Sequence, residues 1–168
     1  RINLLLDEKV SSLFGKEAVE GIILSSGKSI KADIVIMGIG AKANSELAEE
    51  AGLELGPFRG IQVNRYMQTS DGKIFACGDC AEKVSFFDGK PSQLKLASIA
   101  TMEARIAGAN LFSIRRVNMG AIGVFSTVLG GNAFASAGLT ESQAREKGYA
   151  VIIGEAEGIN RHPGGMPG

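Results

Sequence analysis

Cys77 and Cys80, the two cysteines of this 168-residue chain, stand in Cys-x-x-Cys spacing within Lys73-Ile-Phe-Ala-Cys-Gly-Asp-Cys-Ala-Glu82. A redox dithiol needs one sulfur held as thiolate by nearby positive charge and a second within disulfide reach. The spacing permits this, but the charge of Asp79 between them raises a neighbouring thiol pKa. A closed zinc site needs four ligands, and the one histidine, His162, cannot complete the set alone. A third reading makes the sulfurs small apolar packing and gives the work to Gly78 and Asp79. In Thr69-Ser-Asp-Gly-Lys-Ile-Phe-Ala-Cys-Gly-Asp79 a turn, a short apolar strand and a Gly-Asp pair follow in order. Glycine admits a ligand close to the backbone, and a carboxylate at the strand's end accepts hydrogen bonds from polyol hydroxyls. The bland alternative is an aspartate that merely closes a turn.

Gly38-Ile-Gly-Ala-Lys-Ala43 fits the G-x-G-x-x-G/A pattern that cradles a pyrophosphate. The helix expected after it is short, and no strand ends in an acidic residue about twenty positions on, where a ribose hydroxyl would need one. A strand-to-helix turn is the better reading.

These residues require a frame. Short Val/Ile/Leu runs predict strands at 2–6, 10–14, 19–25 and 33–37, with Ser26-Gly27-Lys28 as a hairpin turn and 33–37 as a buried central strand. Asn44 or Ser45 caps a short helix through Ala51, ended by Gly52. Brief strands follow at 61–63 and 74–76. Beyond Pro91 and Ser92, Leu96, Ile99, Ala100, Met102, Ile106 and Ala107 recur at helical spacing up to Asn110. Strands are expected at 121–129 and 133–137. Thr140-x-x-Gln143 is a capping box for a helix from Glu141 to Lys147, and a strand follows from Tyr149 to Ile153.

Acidic and basic residues balance at 18 each, which gives no electrostatic footprint for nucleic acid or anionic lipid. The longest nearly uncharged stretch, 117–140, is too rich in Gly, Asn, Ser and Thr for a membrane span. Two cysteines are too few for a disulfide scaffold, and no charged leader with an apolar core opens the chain, so a reducing cytoplasm is the expected compartment. Arg1 and the turn-forming end His162-Pro-Gly-Gly-Met-Pro-Gly168 lead to the expectation of a fragment of a longer chain.

At Thr69–Asp79 the sequence resembles the second flavin motif of the pyridine nucleotide-disulfide oxidoreductases. Ala32-Asp-Ile-Val-Ile-Met-Gly-Ile-Gly40 with Asn44-Ser-Glu-Leu47 is similar to the crossover leaving their nicotinamide domain, and Gly60-Ile-Gln-Val-Asn64 to the strand before the flavin motif. Leu96-Ala-Ser-Ile-Ala100 with Ala104-Arg-Ile-Ala-Gly108 and Asn110 resembles the helix whose N-terminus faces the flavin ring. Val124-Phe125, Ala137-Gly-Leu-Thr-Glu141 and Ala144-Arg-Glu-Lys-Gly-Tyr149 look like the start of the dimerisation domain in NADH oxidases and coenzyme A disulfide reductases. Ala43 departs from the proline common there.

The resemblance implies an α/β fold of mixed α+β character. A partial three-layer FAD/NAD(P)-binding domain would be followed by the start of an α+β dimerisation domain. The segments would be 1–43, the end of the NAD(P)-binding domain; 44–118, the C-terminal part of the FAD-binding domain; and 119–168, the truncated dimerisation domain. It implies a parent enzyme passing electrons from NAD(P)H through FAD to oxygen or a disulfide, as a homodimer with no nucleic-acid or membrane partner. Asp79 would hold the ribityl chain and Gly78 allow close approach. N–H groups around Leu96 and Ala97 would face developing negative charge, with Lys95 either adding to that field or simply solvated. No catalytic residue is expected in this segment, which by itself would bind FAD weakly or not at all. The rival readings are a non-catalytic self-association module spanning 117–153 and the Cys77/Cys80 dithiol.

Overall fold

The turn at Ser26-Gly27-Lys28 forms because Gly27 takes φ +83°, a left-handed conformation open to glycine. Leu24 N–H then bonds Lys28 O at 2.9 Å, closing a hairpin between β2 (Gly21–Leu24) and β3 (Ser29–Lys31). With β1 (Val10–Phe14) these make a three-stranded antiparallel sheet in the order β1-β2-β3, whose register slips between Val10 and Ser12. Gly21 is required here, because a Cβ would lie 2.3 Å from Ile30 O. The structure, a computed structural model, describes residues 2–158. The chain divides into two compact units between Ala41 and Lys42, and this sheet belongs to the first.

Two expected strands of that unit do not form. Neither 2–6 nor 33–37 joins a ladder, and Ile34 and Ile36 are 78% and 90% exposed. A run apolar on both faces suits a strand flanked on each side. Among the described residues nothing pairs with either run.

In the second unit, α1 (Glu46–Glu50) is shorter than expected and ends at Gly52, φ +77°. Ser45 occupies its N-cap position but does not cap it. Its hydroxyl donates instead to Arg59 O at 2.6 Å. The segments 61–63 and 74–76 make single bridges, not strands: Ile61 with Leu55 and Ala81, and Phe75 with Gln68. Two core clusters share Val63. One holds Ala48, Ile61, Ala76 and Ala81; the other holds Met67, Ile106 and Ala107.

A further pair, β4 (Lys83–Val84) with β5 (Pro91–Ser92), precedes α2 (Ala97–Asn110). The buried stripe of α2 is Ile99, Glu103, Ile106, Ala107 and Asn110. Asn110 ends the helix by donating to Tyr66 O and Arg116 O and accepting from the N–H groups of Arg115 and Arg116. Gly130 and Gly131, both at positive φ, form the two-residue turn joining β6 (Val124–Leu129) to β7 (Asn132–Ala137), the primed geometry that matches strand twist. The capping box of α3 (Glu141–Glu146) is realised in both directions, Gln143 N–H to Thr140 Oγ1 and Thr140 N–H to Gln143 Oε1. Tyr149 to Ile153 forms no strand. Tyr149 instead donates its hydroxyl to Phe87 O at 2.8 Å, and Lys147 Nζ reaches Asp88 Oδ2 at 2.6 Å. No helix among the described residues is long and apolar enough to cross a membrane.

The Lys147 hydrogen bond, with those from Ser85 and Lys90 N–H, holds the Asp88 carboxyl down from 3.8 to about 2. A lowered carboxyl pKa stabilises the fold fully above its unfolded value, about pH 4, and that contribution is lost as pH falls through about 2. An NMR titration of the Asp88 carboxyl should therefore give a midpoint near 2, moving back toward the ordinary value in Lys147→Met.

Candidate functional site

The residues from Phe75 to Glu82 run between two bridged segments. Ala76 N–H bonds Met67 O on one side; Cys80 O accepts from Ile61 N–H, and Glu82 N–H donates to Ile61 O, on the other. Cys77 is extended, Gly78 turns left-handed at φ +80°, and Gly78–Cys80 makes a single 3-10 turn closed by Ala81 N–H to Gly78 O at 3.0 Å. Asp79 thus sits in a tight turn beyond an extended segment. It is exposed and makes no side-chain hydrogen bond among the described residues.

The turn lies against α2. A Cβ built on Gly78 would meet only Ala100 Cβ, at 3.6 Å, so the position is conformationally restricted but sterically open. The helix begins beside it at Leu96, extended at φ −134° and without any side-chain cap, so the first-turn N–H groups have no side-chain partner. Lys95 and Leu96 are half-buried and Ala97 is exposed. The structure therefore brings Gly78 against Ala100 and Glu103, in the first two turns of the helix that starts after Leu96.

What fixes this arrangement is a buried ion pair that the sequence reading missed. Glu103 Oε2 accepts the Gly78 N–H at 2.9 Å and meets Lys83 Nζ at 3.0 Å. Lys83 Nζ also donates to Gly78 O and, at 2.8 Å, to Ala81 O. The side chains are 3% and 1% exposed for Lys83 and Glu103. Burial pushes the Glu103 carboxyl above its ordinary pKa, while Lys83 and the Gly78 N–H pull it back and the Asp79 charge adds to the rise. One signal was present: Glu103 falls four residues after Ile99 and three before Ile106, in phase with the buried stripe. Lys83 gave none, because its partner is twenty positions away.

The cysteines are free. Cys77 packs against the Met67 cluster and Cys80 against the Ile61 cluster, and Cys80 Sγ donates to Cys77 O at 3.3 Å. The Cys77 thiol is pushed up, first by burial, then by Cys80 and Glu103, against a smaller opposing effect of Lys83. That is the opposite of an activated thiolate. Among the described residues no three His, Cys, Asp or Glu side chains gather as a metal site, and His162 lies outside them. In Gly38–Ala43 no strand precedes the glycines, and Gly40 sits at φ +86°.

Comparison with known proteins finds a match of residues 1–104 to the pyridine nucleotide-disulphide oxidoreductase family. The NADH oxidase of Methanocaldococcus jannaschii is 32% identical over 98% of this chain and 37% of its own length. A NAD-dependent persulfide reductase from A. fulgidus superposes with TM-score 0.78 at 34% identity, covering 88% of this chain and 27% of that one. An FAD-dependent pyridine nucleotide-disulphide oxidoreductase from Desulfovibrio vulgaris gives TM-score 0.74 at 37% identity, over 86% and 36%. The chain spans just over a third of the length of the curated relatives it matches.

Because Gly78 is left-handed with open space at its Cβ position, Gly78→Ala should cost about 1–2 kcal/mol through backbone conformation alone. Urea unfolding of the two proteins measures it, and a loss well above that range would mean a clash that this geometry does not contain.

Proposed function

The chain belongs to the pyridine nucleotide-disulphide oxidoreductase family, and from that premise we propose that it supplies the ribityl-binding segment of an FAD-dependent NAD(P)H oxidoreductase. The observation that carries this reading is the Gly78–Asp79 turn, where a left-handed glycine leaves the backbone open next to an exposed carboxylate with no protein partner. The residues fit the cofactor. Asp79 offers acceptors matched to ribityl hydroxyls, Gly78 lets the chain of the cofactor approach the backbone, and the uncapped start of α2 at Leu96 and Ala97 offers donors to negative charge. Lys95, next to Leu96 in sequence, would add positive charge there.

When bound, FAD supplies the redox chemistry, taking a hydride from NAD(P)H and handing electrons to an acceptor. In this reading that acceptor is oxygen or a sulfur–sulfur bond. The work of these residues is to bind and orient: Asp79 grips one arm of the cofactor, and the helix start fixes the field at the other end of the site. In this assignment residues 1–43 close an NAD(P)-binding domain, 44–118 complete an FAD-binding domain and 119–168 begin a dimerisation domain. The unpaired cysteines suit a reducing compartment such as the cytoplasm. The raised Cys77 thiol and the separate packing of the two sulfurs argue against the dithiol alternative.

One observation favours a second role, self-association. All twelve strand residues of the β6–β7 hairpin are exposed, including Val124, Phe125, Val128, Leu129 and Phe134. Such apolar surface drives association, and a lone hairpin is marginal in water. Sedimentation over a concentration series should show dimer formation that Val128→Lys with Phe134→Lys abolishes. A chain that stays monomeric throughout would remove this reading.

For the flavin assignment, Asp79→Ala removes a charge-assisted hydrogen bond of about 1.5–3 kcal/mol, so FAD affinity should fall roughly tenfold to a hundredfold. Cys77→Ala and Cys80→Ala should leave it unchanged. Titration of FAD into the 15N-labelled chain, followed by amide shifts, detects even millimolar binding. Equal affinity in wild type and Asp79→Ala would end the assignment.

A further inference from the structure

Burying an ion pair is an expensive way to hold a surface turn. Removing two charges from water costs several kcal/mol per ion, and well-packed apolar pairs of similar volume are often as stable or more so. Lys83 and Glu103 are nonetheless buried, and between them they take both polar groups of one residue, Gly78. Glu103, from α2, accepts its N–H. Lys83, from β4, donates to its C=O. No residue needs such external control more than a glycine, whose own backbone restricts φ and ψ least.

The consequence follows from the planarity of the peptide. In a trans peptide the C=O and the next N–H point in opposite directions. With the Gly78 C=O drawn to the Lys83 ammonium, the Asp79 N–H is turned to the side away from Lys83. The same pair ties this turn to Glu103, seven residues after Leu96 on α2, so one interaction sets the Asp79 backbone relative to the helix start.

We propose that Lys83 and Glu103 are positioning residues for the flavin-binding turn, a polarised clamp that fixes the Gly78–Asp79 peptide and its place beside the start of α2. This rests on the assignment of Asp79 to the ribityl chain. The clamp has a direction. The helix side must carry an acceptor and the strand side a donor, because Gly78 N–H can only donate and Gly78 C=O can only accept. An ion pair present merely for stability would tolerate exchange of its two charges, whereas this clamp does not. It does tolerate loss of the negative charge, provided that an acceptor oxygen remains.

The test uses the 15N-labelled chain, with two readouts on each variant: hydrogen exchange at the Gly78 amide, and the FAD-induced amide shifts at Asp79 and Ala97. Glu103→Gln, which keeps an acceptor, should hold Gly78 exchange and FAD affinity near wild type. Lys83→Met with Glu103→Leu should fold with an ordinary melting transition, yet show Gly78 exchange and FAD dissociation constant each raised about tenfold or more. The exchanged pair, Lys83→Glu with Glu103→Lys, should fail likewise. Wild-type Gly78 protection and FAD affinity in the exchanged pair or in the apolar pair would overturn the clamp. Because every single variant removes one charge of a buried pair and can unfold the chain, the two doubles carry the decision, and Glu103→Gln counts only with a melting transition like that of the wild type. Asp79→Ala separates the two claims. Unchanged FAD affinity there overturns the ribityl assignment, while intact Gly78 protection in the same variant shows that the turn itself is still held.

Discussion

The site is organised around a charge that water cannot reach. At 1% exposure the Glu103 carboxylate would be severely destabilised alone, and its burial is tolerable because Lys83 Nζ and the Gly78 N–H both meet the same oxygen. Lys83 is equally constrained: its three protons are taken by Glu103, Gly78 O and Ala81 O. Together these bonds join a turn and the strand that follows it to a helix well farther along the chain. The residues proposed for cofactor binding, Gly78, Asp79 and the 95–97 segment, depend on this closed network for their relative placement.

The cysteines show how spacing can mislead when packing decides. Cys-x-x-Cys within a tight turn places two sulfurs near one another, but here the turn lies at the junction of two apolar clusters and each sulfur packs against a different one. The local electrostatics run the same way. A partly buried thiol with a carboxylate for a neighbour favours its protonated form, and the nearby ammonium is already committed to Glu103 and two carbonyls. A sulfur in such surroundings contributes volume to a core, which is what free cysteine does in most folds.

What the sequence disclosed was the local part of the structure. The Thr140/Gln143 capping box, the Ser26-Gly27-Lys28 turn, the end of α1 at Gly52 and the span of α2 up to Asn110 are each set by residues a few positions apart, and each formed as read. The mixed helix-and-strand class was legible for the same reason. The misses are all cases in which a distant partner decides. Ser45 has a good capping side chain, but Arg59 O competes for its hydroxyl. Residues 61–63 and 74–76 have strand-like composition, yet they make only isolated bridges, two at Ile61 and one at Phe75. Lys83 could not be found because nothing near it in sequence shows that an ammonium is needed at Gly78.

The apolar run Asp33–Met37 carries this distinction furthest. Its composition states a requirement, that both faces and both edges be covered, and composition alone cannot supply the neighbours. Turn chemistry is different in kind: Gly27 satisfies its own requirement through φ, so the turn is specified by the residues that make it. The Gly78–Asp79 turn combines the two. Its glycine makes the left-handed bend possible without help, and Ala81 N–H closes it on Gly78 O, but the Lys83–Glu103 pair is what ties the resulting peptide orientation to α2. A motif of this kind is therefore readable as a possibility from eleven residues and becomes a defined geometry only through two more that lie outside it.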